Sequence, residues 1–361
     1  MGGLEKLSIV IPTFDRQSYV LRQVRYWEKS GAQIHIFDGS DQPLSDTSFF
    51  TGNIHYHHAK EDFFARMLRA AETVDTEYVA LLGDDDLFCK SGLKQCITVL
   101  DKEPGVFGVV GRAIYFFHQR GKVLGHRTHE SAANYPDDVT TGIQRLHNLY
   151  HDGKIGAIAY GLFRSEGWKI SVRATYGKKF SCAYVYDTFL RTMLTYYGDI
   201  RVSESLTWLC SGENPPIKDH SSFNRKIDIV DWFDAPELKA EVIEFKTRLT
   251  EALFGFGRDA QVDLRDAVEY VVGTLEMRYR VKADSRKTLR NKLPKIAQRF
   301  VPQVLKDILK DHLPKGIRRI LDWENYELEV VAKEAQNAGV AYEASELQEI
   351  TQIIKDFHLR K

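Results

Sequence analysis

The densest chemistry in the sequence is a run of three carboxylates, Asp84-Asp85-Asp86, at the end of the apolar stretch Tyr78-Val-Ala-Leu-Leu-Gly. Adjacent unpaired acids repel one another, a cost that a cation or ligand offsets, and hard divalent cations take oxygen ligands of this kind. In an extended segment Asp84 and Asp86 point to one side and Asp85 to the other. The same run also reads as a solvated acidic loop capping the next helix. Two further strand-like segments end in polar turns: Ser8-Ile-Val-Ile-Pro12-Thr13-Phe-Asp15-Arg16, and Ile34-His-Ile-Phe-Asp38-Gly39-Ser40. Alone, Asp38-Gly39 is a turn signal. Three such ends together point to one cleft, because ligands of open α/β sheets bind outside the carboxyl ends of the strands.

The elements that would position these residues alternate along the first part of the chain. Leu7–Ile11, Gln33–Phe37, Ile54–His57, Tyr78–Leu82 and Val106–Val110 read as strands. Helical spacing runs through Gln17–Lys29, Glu61–Val74 and Ser91–Leu100, and Ser91 is a good N-cap residue. Lys60, Glu61 and Asp62 read as a solvated helix start. Short strands separated by helices predict βαβ units and a mostly parallel sheet. From about Gly111 to Asn224 β-rich pieces mix with short helices, and after about Lys226 the pattern is nearly all helical. This places a domain of residues 1–228 before a helical C-terminal domain of 229–361.

Composition limits the alternatives. The chain has 361 residues, 43% hydrophobic and 28% charged, which is globular in kind. Lys and Arg total 50 and so do Asp and Glu, so net charge names no partner. The four cysteines (89, 96, 182, 210) form no CxxC pair and read as reduced thiols of a cytoplasmic protein. No apolar run approaches the ~18 residues of a membrane span, and the N-terminal apolar run is too short for a signal peptide.

Taken in order, SIVIPTFDR, then FDGS, then ARMLRAAE and YVALLGDDD resemble the nucleotide-sugar-binding half of a family 2 glycosyltransferase of GT-A fold. The resemblance covers about residues 5–225 and is closest over 7–88. It implies an α/β nucleotide-sugar-binding domain, a sugar donor activated by a nucleoside diphosphate (UDP first), and Mn2+ or Mg2+ as cofactor. It places Thr13, Arg16, Asp38, Arg66, Asp84 and Asp85 at the donor nucleotide and makes Asp86 a metal ligand. Phe37, Asp15 and Met67 depart from the family pattern, where an acid, an asparagine and an asparagine are usual. Read without the resemblance, Arg66 is a surface arginine of a helix.

An inverting transfer needs a base for the acceptor hydroxyl. The family carries it in an acidic pair opening a helix well after the acidic run. Ser181-Cys-Ala-Tyr-Val-Tyr186-Asp187 corresponds, with Tyr186 in place of the first acid and Asp187 as the base. Asp187 also reads as an electrostatic helix cap. His220, in Pro215-Pro-Ile-Lys-Asp-His220, corresponds to a further metal ligand, although a lone loop histidine is ordinarily a surface residue. Trp208 reads as core or as a stacking platform for a sugar. The processive relatives' QxxRW motif is absent, which implies a non-processive enzyme.

Between Val281 and Ile320 twelve Lys and Arg stand against three Asp, a net +9. Ile296, Phe300, Val304 and Ile308 recur there at helical spacing. Residues 286–321 therefore read either as a basic amphipathic face docking on the inner surface of a membrane or as a helix packing on the rest of the chain or on a second copy. The segment lacks the aromatic interleaving of nucleic-acid binders, and no nucleic-acid partner is expected. The acceptor implied is a glycan or lipid-linked glycan in polysaccharide biosynthesis. Two other classes stay open. A nucleotidyltransferase would carry a glycine-rich phosphate loop after the first strand, and Pro12–Arg16 is not one. A non-catalytic nucleotide-sugar or glycan-binding subunit would show departures such as Phe37, Met67 and Tyr186.

Overall fold

The computed structural model describes residues 3–48, 50, 52–128, 141–151, 158–213, 227–292 and 326–359. In chain order the strands are β1 (Leu7–Thr13), β2 (Gln33–Asp38), β3 (Ile54–His58), β4 (Tyr78–Leu81), β5 (Leu87–Phe88), β6 (Val106–Gln119), β7 (Lys122–Thr128), β8 (Leu162–Arg164), β9 (Asp199–Ser211) and β10 (Tyr326–Glu327). The helices are α1 (Gln17–Trp27), α2 (Phe63–Thr73), α3 (Lys90–Lys102), α4 (Gly142–His151), α5 (Ser165–Tyr176), α6 (Tyr184–Tyr197), α7 (Ile229–Asp234), α8 (Lys239–Phe254), α9 (Gln261–Lys292), α10 (Leu328–Asn337) and α11 (Ala344–Leu359).

All strands of the described residues join one sheet. Its main path runs β10-β7-β6-β8-β4-β1-β2-β3, and β9 pairs with β6 and β5 off that path. The β3-β2-β1-β4 half is parallel throughout, as the alternation of elements predicts. Beyond β4 the neighbours β8 and β6 run antiparallel, and β9 lies parallel to β6. The parallel half therefore carries the carboxyl ends of β1, β2, β3 and β4 at one edge.

Strand alternation divides the core in two. Leu7, Ile9 and Ile11 of β1, with Tyr78 and Ala80 of β4, join one hydrophobic cluster, while Val10, Val79 and Leu81 join the other. A strand buried on both faces is mainly apolar in this way, with the buried Ser8 of β1 as an exception. The first cluster is closed by α1, α3, α10 and α11, and the second by α2 and α4 through α9. The C-terminal helical region thus covers both faces of the sheet: α7–α9 pack on one and α10–α11 on the other. The four thiols are free, and three are buried.

Local chemistry accounts for the element ends. Asp62 caps α2 by accepting from Ala65 N at 2.9 Å, so it does more than lie on a solvated start. Helix α1 ends at residues of positive φ, Lys29 (59°) and Gly31 (90°). The start of α3 differs from the expectation of a Ser91 cap. Cys89 takes the N-cap position with no side-chain bond, and the free N–H of Ser91 is met at 3.0 Å by Glu346 of α11. A carboxylate from a distant helix satisfies the orphan donors better than a local hydroxyl.

Candidate active site

The site is built on the carboxyl edge of the parallel strands. Thr13 closes β1, and its buried hydroxyl donates to Asp84 Oδ2 at 2.7 Å. Arg16, three residues on, places Nη1 2.9 Å from Asp84 Oδ1 and 3.8 Å from Asp85 Oδ1. Between them Asp15 adopts φ 54°, a left-handed conformation that Asp tolerates. Its N–H donates to Ser40 Oγ at 2.8 Å, which ties the β1 turn to the β2 turn.

Asp38, at the end of β2, is fully buried. It accepts from Ser40 N at 2.9 Å and from the hydroxyls of Ser40 and Tyr56, each at 2.5 Å. Gly39 is obligatory beside it, because a Cβ there would lie 2.5 Å from Glu61 O and 2.8 Å from Arg66 Nε. Arg66 is not a surface arginine: it is 1% exposed and donates to the carbonyl of Thr13. Burial lowers its pKa to about 10, against the attraction of Asp38 and Asp84. A buried cation therefore sits between the turns that carry the acids.

The acidic run is a turn rather than a continued strand, closed by Asp86 N to Gly83 O at 3.1 Å. Asp84 and Asp86 are buried and Asp85 is half-buried. Gln23 of α1 donates to the carbonyls of both Asp84 (3.0 Å) and Asp86 (2.6 Å). Asp86 Oδ1 accepts from Ser211 N at 2.7 Å. Burial and then the charge of Asp85 push the Asp86 carboxyl well above the carboxylate range, against hydrogen bonds from Ser211 and Trp208. Burial and the charge of Asp84 likewise raise Asp85, opposed by Arg16.

Those shifts test whether the residues suit a divalent cation. Asp84 already shares its charge with Arg16, whereas Asp86 is a buried carboxylate to which no cationic side chain among the described residues is bonded. A hard cation supplies that missing charge. Among the described residues no group of three or more His, Cys, Asp or Glu is arranged to hold a metal ion. Asp86 is thus the residue that could ligate a cation here, without a cluster of further described ligands around it. His220 lies outside the described residues.

Asp187 occupies the first turn of α6, exposed, with Oδ2 2.5 Å from Arg191 Nη2. Tyr186 in place of the usual acid is buried, and its hydroxyl bonds to the Phe180 backbone, so it braces the loop before the helix. Tyr160 feels the charge of both this acid and the acidic turn. Burial raises its hydroxyl well above the usual range, and Asp86, Asp187 and Asp85 add to the rise. Its ring stacks on Trp208 at 4.1 Å, and Trp208 is 4% exposed, which makes that tryptophan core and not an open sugar platform.

No protein-family model and no curated protein matches the sequence. Solved structures show partial likeness. S. aureus TarS 1–349 in complex with UDP is 12% identical at a TM-score of 0.49, over 98% of this chain and 92% of that one. S. aureus TarS 1–349 is 13% identical at 0.44, over 78% and 91%, and its complex with UDP-GlcNAc is 14% identical at 0.43, over 69% and 73%. At these values the likeness says nothing about the role of any residue here.

Gln23, Ser211 and Tyr56 contact the site residues and were not singled out from the sequence. A polar Gln on the inward face of an otherwise amphipathic α1 was the available signal for the first. No local pattern marks the others. Residues 293–325, with most of the basic 286–321 segment, lie outside the described residues. Among the described residues no helix is long and apolar enough to cross a membrane.

Proposed function

We propose that the chain is a glycosyltransferase of GT-A type that moves a sugar from a nucleoside diphosphate donor to a hydroxyl of a glycan or lipid-linked glycan, with inversion. One observation carries this reading. Thr13, Arg16 and Asp84 are hydrogen-bonded together, with Arg66 on the Thr13 carbonyl and Asp38 beside it, at the carboxyl edge of parallel strands. That edge is where such sheets bind ligands.

In this reading Thr13, Arg16, Asp38, Arg66, Asp84 and Asp85 shape the pocket for the nucleoside. Arg16 is half-buried and its charge is met by Asp84 and Asp85, so its part in this reading is to hold the acidic turn at the pocket. Asp86, with His220 as a further ligand, would hold Mn2+ or Mg2+, which when bound neutralises charge developing on the leaving diphosphate. Asp187 is the base. Arg191 holds Oδ2, and Oδ1 accepts the acceptor proton. The acceptor oxygen bonds to the anomeric carbon as the bond to the β-phosphate oxygen breaks, and the electron pair leaves with the nucleoside diphosphate.

Calorimetric titration with UDP, GDP, CDP and dTDP, each with and without manganese, tests the donor site. Metal-dependent binding of one nucleotide supports the reading, and binding of none removes it. Donor hydrolysis followed over hours separates a catalyst from a binding subunit that lacks turnover.

A further inference from the structure

The last described helix reaches the acidic turn through a buried chain of contacts. Arg22 of α1 donates from Nη2 to the backbone carbonyl of Asp85, and its Nη1 lies 3.2 Å from Glu213 Oε2. Both side chains are nearly sealed, at 1% and 3% exposed. The other oxygen of Glu213 lies 2.8 Å from His358 Nε2 of α11. The His358 ring stacks on His118 of β6 at 4.1 Å, which fixes its plane. The neighbouring Phe357 ring lies 4.9 Å from the Arg22 guanidinium, and Tyr19 covers it at 4.8 Å. Glu213 also closes the path to the next acid, since its N–H donates to Ser211 Oγ at 3.1 Å and Ser211 N donates to Asp86 Oδ1. Asp85 and Asp86 are thus gripped from one residue.

A buried ion pair recovers its desolvation cost only when its remaining donors and acceptors are used, and it is strongly destabilising when one partner is lost. Here the carbonyl of Asp85, two aromatic faces and His358 supply partners, while Arg22 Nε is buried without one. The contacts cross 63, 191 and 145 positions of sequence, so the full chain forms only when α1, the segment at Glu213 and α11 pack together, and the last of them is the one α11 supplies. We propose that α11 is a positioning element for the donor site: His358, through Glu213 and Arg22, holds the Asp84–Asp86 backbone in the shape that binds a nucleoside diphosphate. The inference rests on the proposed donor site for its ligand, and on the contacts alone for its mechanics.

The experiment uses the full chain with His358→Leu, which removes the contact, His358→Gln, which keeps a donor, and Glu213→Gln as a second break. Amide hydrogen exchange over residues 82–88 and calorimetric binding of UDP with manganese are measured on each. His358→Leu and Glu213→Gln are expected to speed exchange in the turn and weaken UDP binding, each roughly tenfold, as loss of an outer-shell partner does. His358→Gln is expected to restore both, and exchange in β1 and β2 is expected to stay at the parent rate. Wild-type exchange in the turn with His358→Leu overturns the inference, as does faster exchange without any loss of affinity. A parent chain that binds no nucleotide overturns the donor-site reading instead, and the exchange data still decide whether α11 holds the turn.

Discussion

Thr13 and Asp84 stand 71 positions apart in sequence and share a hydrogen bond of 2.7 Å, hydroxyl to carboxylate, both buried. The bond joins the carboxyl ends of β1 and β4, adjacent parallel strands. It decides where the acidic turn begins. Thr13→Val keeps the shape and removes the donor, leaving Asp84 to Arg16 alone. The expected cost is about 1–3 kcal/mol of stability, the penalty for stranding a buried acceptor. Urea denaturation measures it, and a matching loss of nucleotide affinity places the bond at the donor. A stability equal to the parent would mean that water replaces the hydroxyl.

Asp187→Asn keeps size and hydrogen bonding while removing the base. Transfer is expected to fall by roughly 10²–10⁴, the range of general-base contributions, with nucleotide affinity unchanged. Single-turnover transfer and calorimetry on one preparation separate the two quantities. Near-parental transfer by Asp187→Asn would return Asp187 to the role of a helix cap paired with Arg191.

Asp86→Ala is expected to abolish the manganese-dependent part of nucleotide binding, and a chelator is expected to do the same to the parent chain. Calorimetry with and without metal reads both. Equal affinities under all four conditions would remove the metal from Asp86.

The parallel half of the fold was legible because β1, β2 and β4 are buried on both faces and so are written as mainly apolar runs, with Ser8 and His35 as buried polar exceptions. Their polar ends stand out against those runs, which is how Thr13, Asp38 and Asp84 were found. Arg66 was harder to read: helical spacing alone gives an arginine of α2 no depth, and only the carbonyl of Thr13 explains its burial. The antiparallel continuation through β8 and β6 was not legible, since β8 is three residues long and its pairing is a long-range matter. The docking of α10 and α11 was equally hidden. Amphipathic spacing shows that a helix must cover something, and it does not show what.

Acid should weaken the sheet edge through His35. Burial, then the charges of His55 and His57, hold its pKa down to about 4, opposed by Asp75, while Arg69 acts on the neighbouring His57. Between pH 4 and the ordinary histidine value the unfolded chain binds a proton that the folded one does not. Stability therefore falls as pH drops through that window and is flat above it. Thermal midpoints measured from pH 7.5 to 4.5 should show the fall. His35→Phe keeps the ring stacked beside Phe37 and should reduce the slope. An unchanged slope would assign the acid sensitivity elsewhere.

Glu346 offers a prediction independent of the donor. Its carboxylate accepts from Ser91 N at 3.0 Å, from the Ser91 hydroxyl at 2.5 Å and from the Tyr26 hydroxyl at 2.8 Å, and it also takes the Lys90 N–H. It thereby caps α3 and pins α11 to α1 at the same point. If Ser91 were the cap, Ser91→Ala would cost about 1 kcal/mol and Glu346→Ala little. The contacts reverse that order. Glu346→Ala strands several buried donors at once and is expected to cost roughly 2–4 kcal/mol, while Ser91→Ala removes one bond and leaves the two N–H bonds in place. Chemical denaturation of both variants decides between them. A larger loss for Ser91→Ala would show that α3 is capped from its own sequence and that α11 contributes little there.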